Sequence, residues 1–173
     1  MTFPLGWLPV QLSYKEKSVT FLQVAQPADL KTNVPRFGTV IDNYKALHPD
    51  AQERQGTFDD LNGLKELGRS PDGLIFHSSR VGSTASAVAL ADTSNCFVID
   101  EGGILNNAIR VEPNPAEILE LAVRGLSQFL QPEDHFVIKT SSWNITRIGT
   151  YLTAFPDIPW IFLYRDLIEM MVS

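Results

Sequence analysis

The sequence predicts an α/β fold in which an open parallel sheet carries helices on both faces. Short apolar runs at 73–77, 96–99, 135–139 and 159–164 are predicted to be strands. These runs are continuously apolar, which is typical of strands covered on both sides. The segments between them have helical spacing of apolar residues or good helix propensity. Strands that alternate with helices form βαβ units, and such units build a parallel sheet.

Residues 1–56 lack this regular pattern and are predicted to be an N-terminal extension. Prolines are scattered through them, and the segments 8–12 and 19–24 read as two strands of a possible hairpin. Packing of this extension on the main domain is the simpler interpretation. The alternative is a hairpin that faces a substrate or a partner.

The α/β domain is predicted to cover residues 57–173. Its first helix begins after Thr57, where Asp60 has the spacing of a capping box, and ends at Gly68. Pro115 suits the first position of a later helix, and residues 100–115 are predicted to be a polar loop that ends there. The predicted helices span 58–67, 83–92, 115–130, 144–154 and the residues from about 166 onward.

Composition limits the classes of function. The chain has 173 residues, 44% of them hydrophobic, which suits a single globular domain. Its net charge of −6 provides no general attraction for nucleic acid. Cys96 is the only cysteine, so no internal disulfide can form. Without a basic leader or a long apolar run, the chain is predicted to be cytoplasmic, with no membrane partner. No spacing of His, Cys and carboxylate residues indicates a metal site.

The stretch "GLIFHSSRVGSTASAVALAD", residues 73–92, is a candidate anion site. A buried strand leads into a small polar loop with a glycine, and an Ala-rich helix follows. Backbone N–H groups of such a loop and the helix N-terminus favour a bound anion. The stretch departs from the phosphate-loop motif G-x-x-x-x-G-K-[ST], because no Gly lies five residues before Gly82 and no Lys follows it. A nucleotide-dependent kinase is therefore disfavoured.

The same stretch resembles the 5′-phosphosulfate loop of sulfotransferases that use 3′-phosphoadenosine-5′-phosphosulfate (PAPS). That loop carries a basic residue, one intervening residue, and then Gly-[ST]-[ST]; Arg80, Gly82, Ser83 and Thr84 match it. The resemblance implies that Arg80 pairs with the phosphosulfate and that Gly82 lets the backbone approach. It also implies that Ser83 and Thr84 bind phosphate oxygens through hydroxyls and amides, roles that suit these side chains.

A second stretch, "IFLYRDLIEMMVS", resembles the 3′-phosphate motif of the same family. That motif is an apolar strand ending in Arg, followed by a helix with Ser eight positions later; Arg165 and Ser173 have this spacing. The resemblance implies that both residues contact the 3′-phosphate of PAPS and of its product, PAP. Leu167 stands where many family members have Pro. The resemblance covers 73–173, and family members usually continue further, so a truncated P-loop-like sulfotransferase domain is implied.

Sulfuryl transfer also needs a group that takes the proton of the acceptor. Family members often have a His after Lys-Thr at a strand end, but Ser141 follows Lys139-Thr140 here. Other branches use a Glu after the second strand, and Glu101 has that position, with Asp100 as the alternative. We therefore predict Glu101 as the catalytic base.

Lys139 is the second candidate catalytic residue, because it ends the third strand and should face the same crevice. It is predicted to stabilise charge on the sulfuryl group or the bridging oxygen. The alternatives are a solvated lysine for Lys139, a polar turn residue for Glu101, and surface ion pairs for Arg80 and Arg165. His77, at the end of the first strand, is predicted to be a packed histidine.

The sequence thus predicts transfer of a sulfuryl group from PAPS to a hydroxyl or amine on a small-molecule acceptor. Two alternatives stay open: a PAPS- or phosphate-binding remnant or interaction module without turnover, and a P-loop-type small-molecule kinase.

Overall fold

A computed structural model describes residues 5–31, 36–93, 95–166 and 168. Near the N-terminus, three antiparallel strands form a small sheet in the order β1-β2-β3. Their bounds are β1 (Trp7–Ser13), β2 (Ser18–Gln23) and β3 (Glu53–Thr57). The predicted hairpin is β1 and β2, whereas β3 was not predicted. The strand β3 is polar and exposed along most of its length, so its sequence lacks the apolar alternation that identifies a half-buried strand.

The larger sheet is parallel, as predicted, and its strand order is β5-β6-β4-β7. Its strands are β4 (Gly73–His77), β5 (Cys96–Asp100), β6 (His135–Lys139) and β7 (Trp160–Leu163). The chain moves one way along the sheet from β4 to β5, and the other way from β5 to β6 and from β6 to β7. Because such crossovers are right-handed, the helices divide between the two faces of the sheet.

In the described ranges, six α-helices accompany the two sheets. They are α1 (Phe37–Leu47), α2 (Phe58–Leu61), α3 (Ser83–Ala91), α4 (Gly103–Ala108), α5 (Pro115–Ser127) and α6 (Ile148–Ala154). Short 3₁₀ segments lie at Pro27–Leu30, Asn62–Leu64 and Ser142–Arg147. None of the described helices is long and apolar enough to cross a lipid bilayer.

Local signals at two predicted helix starts are confirmed. The Thr57 backbone N–H donates to Asp60 Oδ2 at 2.8 Å, which closes one half of the capping box at α2. Pro115 is the first residue of α5. The helix predicted to begin near Asp166 lies mostly outside the described residues.

The prediction of a polar loop at 100–115 is wrong for its central part, which forms α4. Ile104, Leu105 and Ala108 are buried there, and this spacing marks one face of a helix. The glycines before this stripe and the asparagines within it have low helix propensity and concealed it. Burial against the shared core outweighs that propensity.

The two sheets share one hydrophobic core. It includes Leu8 and Phe21 from the small sheet, and Phe76 and Ile138 from the parallel sheet. Gly125 permits close contact between α5 and β1 of the small sheet, because a Cβ at this position would lie 2.7 Å from the Pro9 ring. The N-terminal residues therefore pack on the α/β domain.

The prediction that the apolar run Ile161–Leu163 in β7 is covered on both faces is wrong. Ile161 is 53% exposed and Trp160 is 47% exposed. Among the described residues β7 pairs only with β4, so it forms an edge of the sheet. By contrast, Leu74–Phe76 in the interior of the sheet are buried as predicted.

Candidate functional site

The segments that follow the four parallel strands lie together at the carboxyl ends of those strands, which we call the strand-end edge of the sheet. Hydrogen bonds continue the pairing past the strand ends, from Glu101 N to Lys139 O at 2.9 Å and from Thr140 N to Ile75 O at 3.0 Å. Ser78 N donates to Leu163 O, also at 3.0 Å. Ligands of open α/β sheets bind at this edge, beyond the carboxyl ends of the strands.

The loop after β4 turns sharply into α3. Arg80 has φ +59° and Gly82 has φ +78°, so both have left-handed backbone conformations. Gly82 is the N-cap of α3, and its carbonyl accepts from Ala85 N at 2.9 Å. Left-handed residues before a helix are typical of backbone concavities that bind anions. Arg80 and Thr84 are exposed beside this turn.

Ser83 has a different environment from the other loop residues. It is buried, and its Oγ lies 3.1 Å from Nδ1 of His77. The His77 ring also faces two backbone carbonyls, with Nδ1 2.9 Å from Ser78 O and Nε2 2.9 Å from Thr140 O. A carbonyl oxygen only accepts, so a ring nitrogen that carries a proton donates to its carbonyl, and Nδ1 accepts from the Ser83 hydroxyl only when it carries none. The Ser83 hydroxyl therefore lies against the last residue of β4, whereas Thr84 is exposed. His77 is packed at its strand end.

Glu101 has an unusual backbone and a partly open side chain. Its φ is +52°, a left-handed conformation that costs a non-glycine residue about 1–2 kcal/mol. Oε1 lies 3.0 Å from Lys139 Nζ, and Oε2 lies 3.4 Å from a guanidinium nitrogen of Arg36. Oε1 is also 3.8 Å from Nε2 of His77. The side chain is 28% exposed, so the carboxylate is held on one side and open on another.

Lys139 is not a solvated lysine, because its side chain is 0% exposed. Besides Glu101, its Nζ contacts Asp100 Oδ1 at 2.5 Å. Asp100 and Lys139 are partners in the β5–β6 register, so their side chains project to the same face of the sheet. Asp100 is fully buried, and a residue so enclosed cannot take a proton from an acceptor in the crevice. The structure therefore favours Glu101 over Asp100 as the candidate base.

Arg36 was not predicted to belong to this site. Its backbone forms a parallel bridge with Asp100, and its side chain reaches Glu101. The contact joins residues 65 positions apart. No local sequence signal marks Arg36, because its role depends on how the N-terminal segment packs against β5.

Polar side chains after β5 and β6 form a second group at the same edge. Asn106 Nδ2 donates to Ser141 Oγ at 2.9 Å, and Asn144 Nδ2 donates to Asn106 Oδ1 at 2.8 Å. Asn144 also donates to the hydroxyl of Tyr151, and burial raises the pKa of this phenol above its usual value. Ser79 donates to Ser142 at 3.0 Å, which links the loop after β4 to the segment after β6.

The 3′-phosphate motif is described only in part. Arg165 is exposed and lies two residues after Leu163, whose carbonyl pairs with the start of the loop after β4. The two predicted nucleotide-binding motifs therefore begin at neighbouring strand ends. Ser173 lies outside the described residues, so its predicted contact stays a prediction.

Comparisons with protein-family models, with curated proteins and with solved structures gave no significant match. Among the described residues, no group of three or more His, Cys, Asp and Glu side chains could hold a metal ion.

Proposed function

We propose that this chain is a sulfotransferase domain that moves a sulfuryl group from PAPS to a hydroxyl or amine acceptor. The observation that carries the proposal is the position of Glu101. Its partly exposed carboxylate lies at the strand-end edge, beside a strand–loop–helix turn of the anion-binding type. A base and an anion site at one edge are what sulfuryl transfer requires.

In the proposed reaction the acceptor oxygen or nitrogen attacks the sulfur of PAPS. The bond between sulfur and the 5′-phosphate oxygen breaks, PAP leaves, and the acceptor's proton passes to Glu101. Arg80 and the amides around Gly82 bind the 5′-phosphosulfate and stabilise the charge that develops on the departing phosphate. Thr84 adds a hydroxyl to the same group, and the Ser83 backbone lies at the start of the helix.

Arg165 and Ser173 are proposed to bind the 3′-phosphate. Arg165 follows the strand that pairs with β4, which supports a common ligand for the two motifs. The buried Lys139 has two carboxylates around its ammonium group. Its proposed role is therefore to hold the Glu101 carboxylate rather than to stabilise charge on the sulfuryl group.

Arg165→Ala is expected to weaken PAP binding far more than AMP binding, because only PAP carries the 3′-phosphate. Loss of one charge-assisted contact suggests about 1.5–3 kcal/mol, or roughly 10- to 150-fold in Kd. Isothermal titration calorimetry with both nucleotides measures the difference. Lys65→Ala, at an exposed position after α2, is the control for loss of one positive charge and should change neither affinity. Equal losses of PAP and AMP affinity in Arg165→Ala would reject the assignment.

A further inference from the structure

Asp100 combines complete burial, a single ion-pair partner and an unsatisfied oxygen. Its Oδ1 contacts Lys139 Nζ at 2.5 Å, while Oδ2 has no hydrogen-bond partner among the described residues. A buried carboxylate is costly, and a buried ion pair is often no more stabilising than an apolar pair of similar volume. Stability alone therefore does not account for this arrangement, and the position of the ammonium group is the property that Asp100 controls.

The Lys139 ammonium joins Asp100 to Glu101. A lysine ammonium is a point charge on a long stem with several rotatable bonds, so one partner does not fix its position. Asp100 on β5 is the in-register neighbour of Lys139, and its buried carboxylate contacts Nζ on the side away from solvent. The same Nζ contacts Glu101 Oε1 at 3.0 Å. The partly exposed Glu101 carboxylate therefore has one buried, positioned partner.

Glu101 needs such support because its backbone is in a left-handed conformation that few non-glycine residues adopt. The backbone is tied to the same neighbour, since Glu101 N donates to Lys139 O at 2.9 Å. Charged groups face the carboxylate from three other elements: Lys139 on β6, Arg36 before α1, and His77 on β4, which is charged only when protonated. Lys139 makes the shortest of these contacts.

We propose that Asp100 is a positioning residue, which orients the Glu101 carboxylate through Lys139; this inference rests on the proposed sulfotransferase function. Oε1 contacts Lys139, whereas among the described residues Oε2 has only the longer contact with the exposed Arg36. Oε2 is thus the oxygen that takes the acceptor's proton as the acceptor bonds to sulfur and PAP departs. The direction of Oε2 depends on the Asp100–Lys139 pair.

The test is a double-mutant cycle measured by hydrolysis of PAPS to PAP and sulfate, in which water is the acceptor. Asp100→Asn should lower kcat by roughly 10- to 100-fold, the range typical of groups that orient metal ligands. The KM for PAPS and the Kd for PAP should stay unchanged. In a Glu101→Gln background, Asp100→Asn should cause no further loss, because Asp100 acts only through Glu101. Asp157→Asn, on an exposed turn, is the matched control and should behave as wild type.

If Asp100→Asn fails to fold, the pair Asp100→Asn with Lys139→Met removes both buried charges together. This variant should melt near the wild-type temperature and show the same loss of kcat. Additive losses in the cycle, or a folded double variant with wild-type kcat, would overturn the positioning role while leaving the proposed function intact. A wild-type protein that neither binds PAP nor hydrolyses PAPS would overturn both.

Discussion

Glu101→Gln is expected to lower kcat for sulfuryl transfer from PAPS by roughly 10²–10⁴-fold, the usual range for loss of a general base. Glutamine keeps the size of the side chain and can still accept from Lys139, so the change removes basicity with little effect on packing. Sulfate release from PAPS, or transfer to any acceptor that the protein uses, provides the measurement.

The nucleotide affinity separates this role from a structural one. Within the described part of the chain, the Glu101 carboxylate contacts Lys139, Arg36 and His77, none of which belongs to the loop of Arg80 and Gly82. The Kd for PAP should therefore barely change. Glu66→Gln, an exposed site after α2, is the matched control and should retain the wild-type kcat. A wild-type kcat in Glu101→Gln would assign proton transfer to a different group.

Lys139→Met is expected to destabilise the folded protein by about 3–5 kcal/mol, because it leaves the Asp100 carboxylate buried without its counter-charge. The expected loss is large compared with the total stability of a typical domain, which is about 5–15 kcal/mol. Chemical denaturation at low temperature gives the free energy of unfolding. This prediction tests the buried pair and does not depend on any assignment of function.

Two companion variants make the Lys139 result specific. Adding Asp100→Asn to Lys139→Met should restore most of the lost stability, because the uncompensated charge is removed. Lys65→Met, at an exposed position, should change stability by no more than about 0.5 kcal/mol. If Lys139→Met destabilised the protein no more than this control, the ion pair would not be the buried contact described above.

The parallel sheet could be predicted from sequence because its inner strands are buried on both faces. Such strands are continuous apolar runs, and β4 and β6 began and ended where the runs did. β7 is also apolar but lies at an edge, and an apolar run by itself does not distinguish these two environments. Strand β3 was missed because it is mostly exposed and is held by pairing with β2, so its sequence has no apolar alternation. Helix α4 was missed because its glycines and asparagines have low helix propensity. Helix α1 was also missed, although its buried Phe37, Val40, Ile41 and Tyr44 have helical spacing.

The parts of the candidate site that lie directly at the ends of strands could be predicted from the sequence. The rule that ligands bind beyond the carboxyl ends of parallel strands indicates the segments of Glu101 and Lys139, whose side chains lie 3.0 Å apart. Arg36 could not be predicted, because it reaches Glu101 through packing of a distant segment. The Ser83 contact with His77 depends on side-chain direction at the first turn of α3, which residue spacing does not determine.

The most direct test of the proposed sulfotransferase function is calorimetric titration of the protein with PAP, ADP and ATP under identical salt conditions. The 3′-phosphate distinguishes PAP from the other two nucleotides, and a dedicated contact to it is worth at least about 1.4 kcal/mol, or tenfold in Kd. We predict that PAP binds at least about tenfold more tightly than ADP or ATP. Equal affinity for the three, or a preference for ATP, would contradict a PAPS site and favour the kinase alternative.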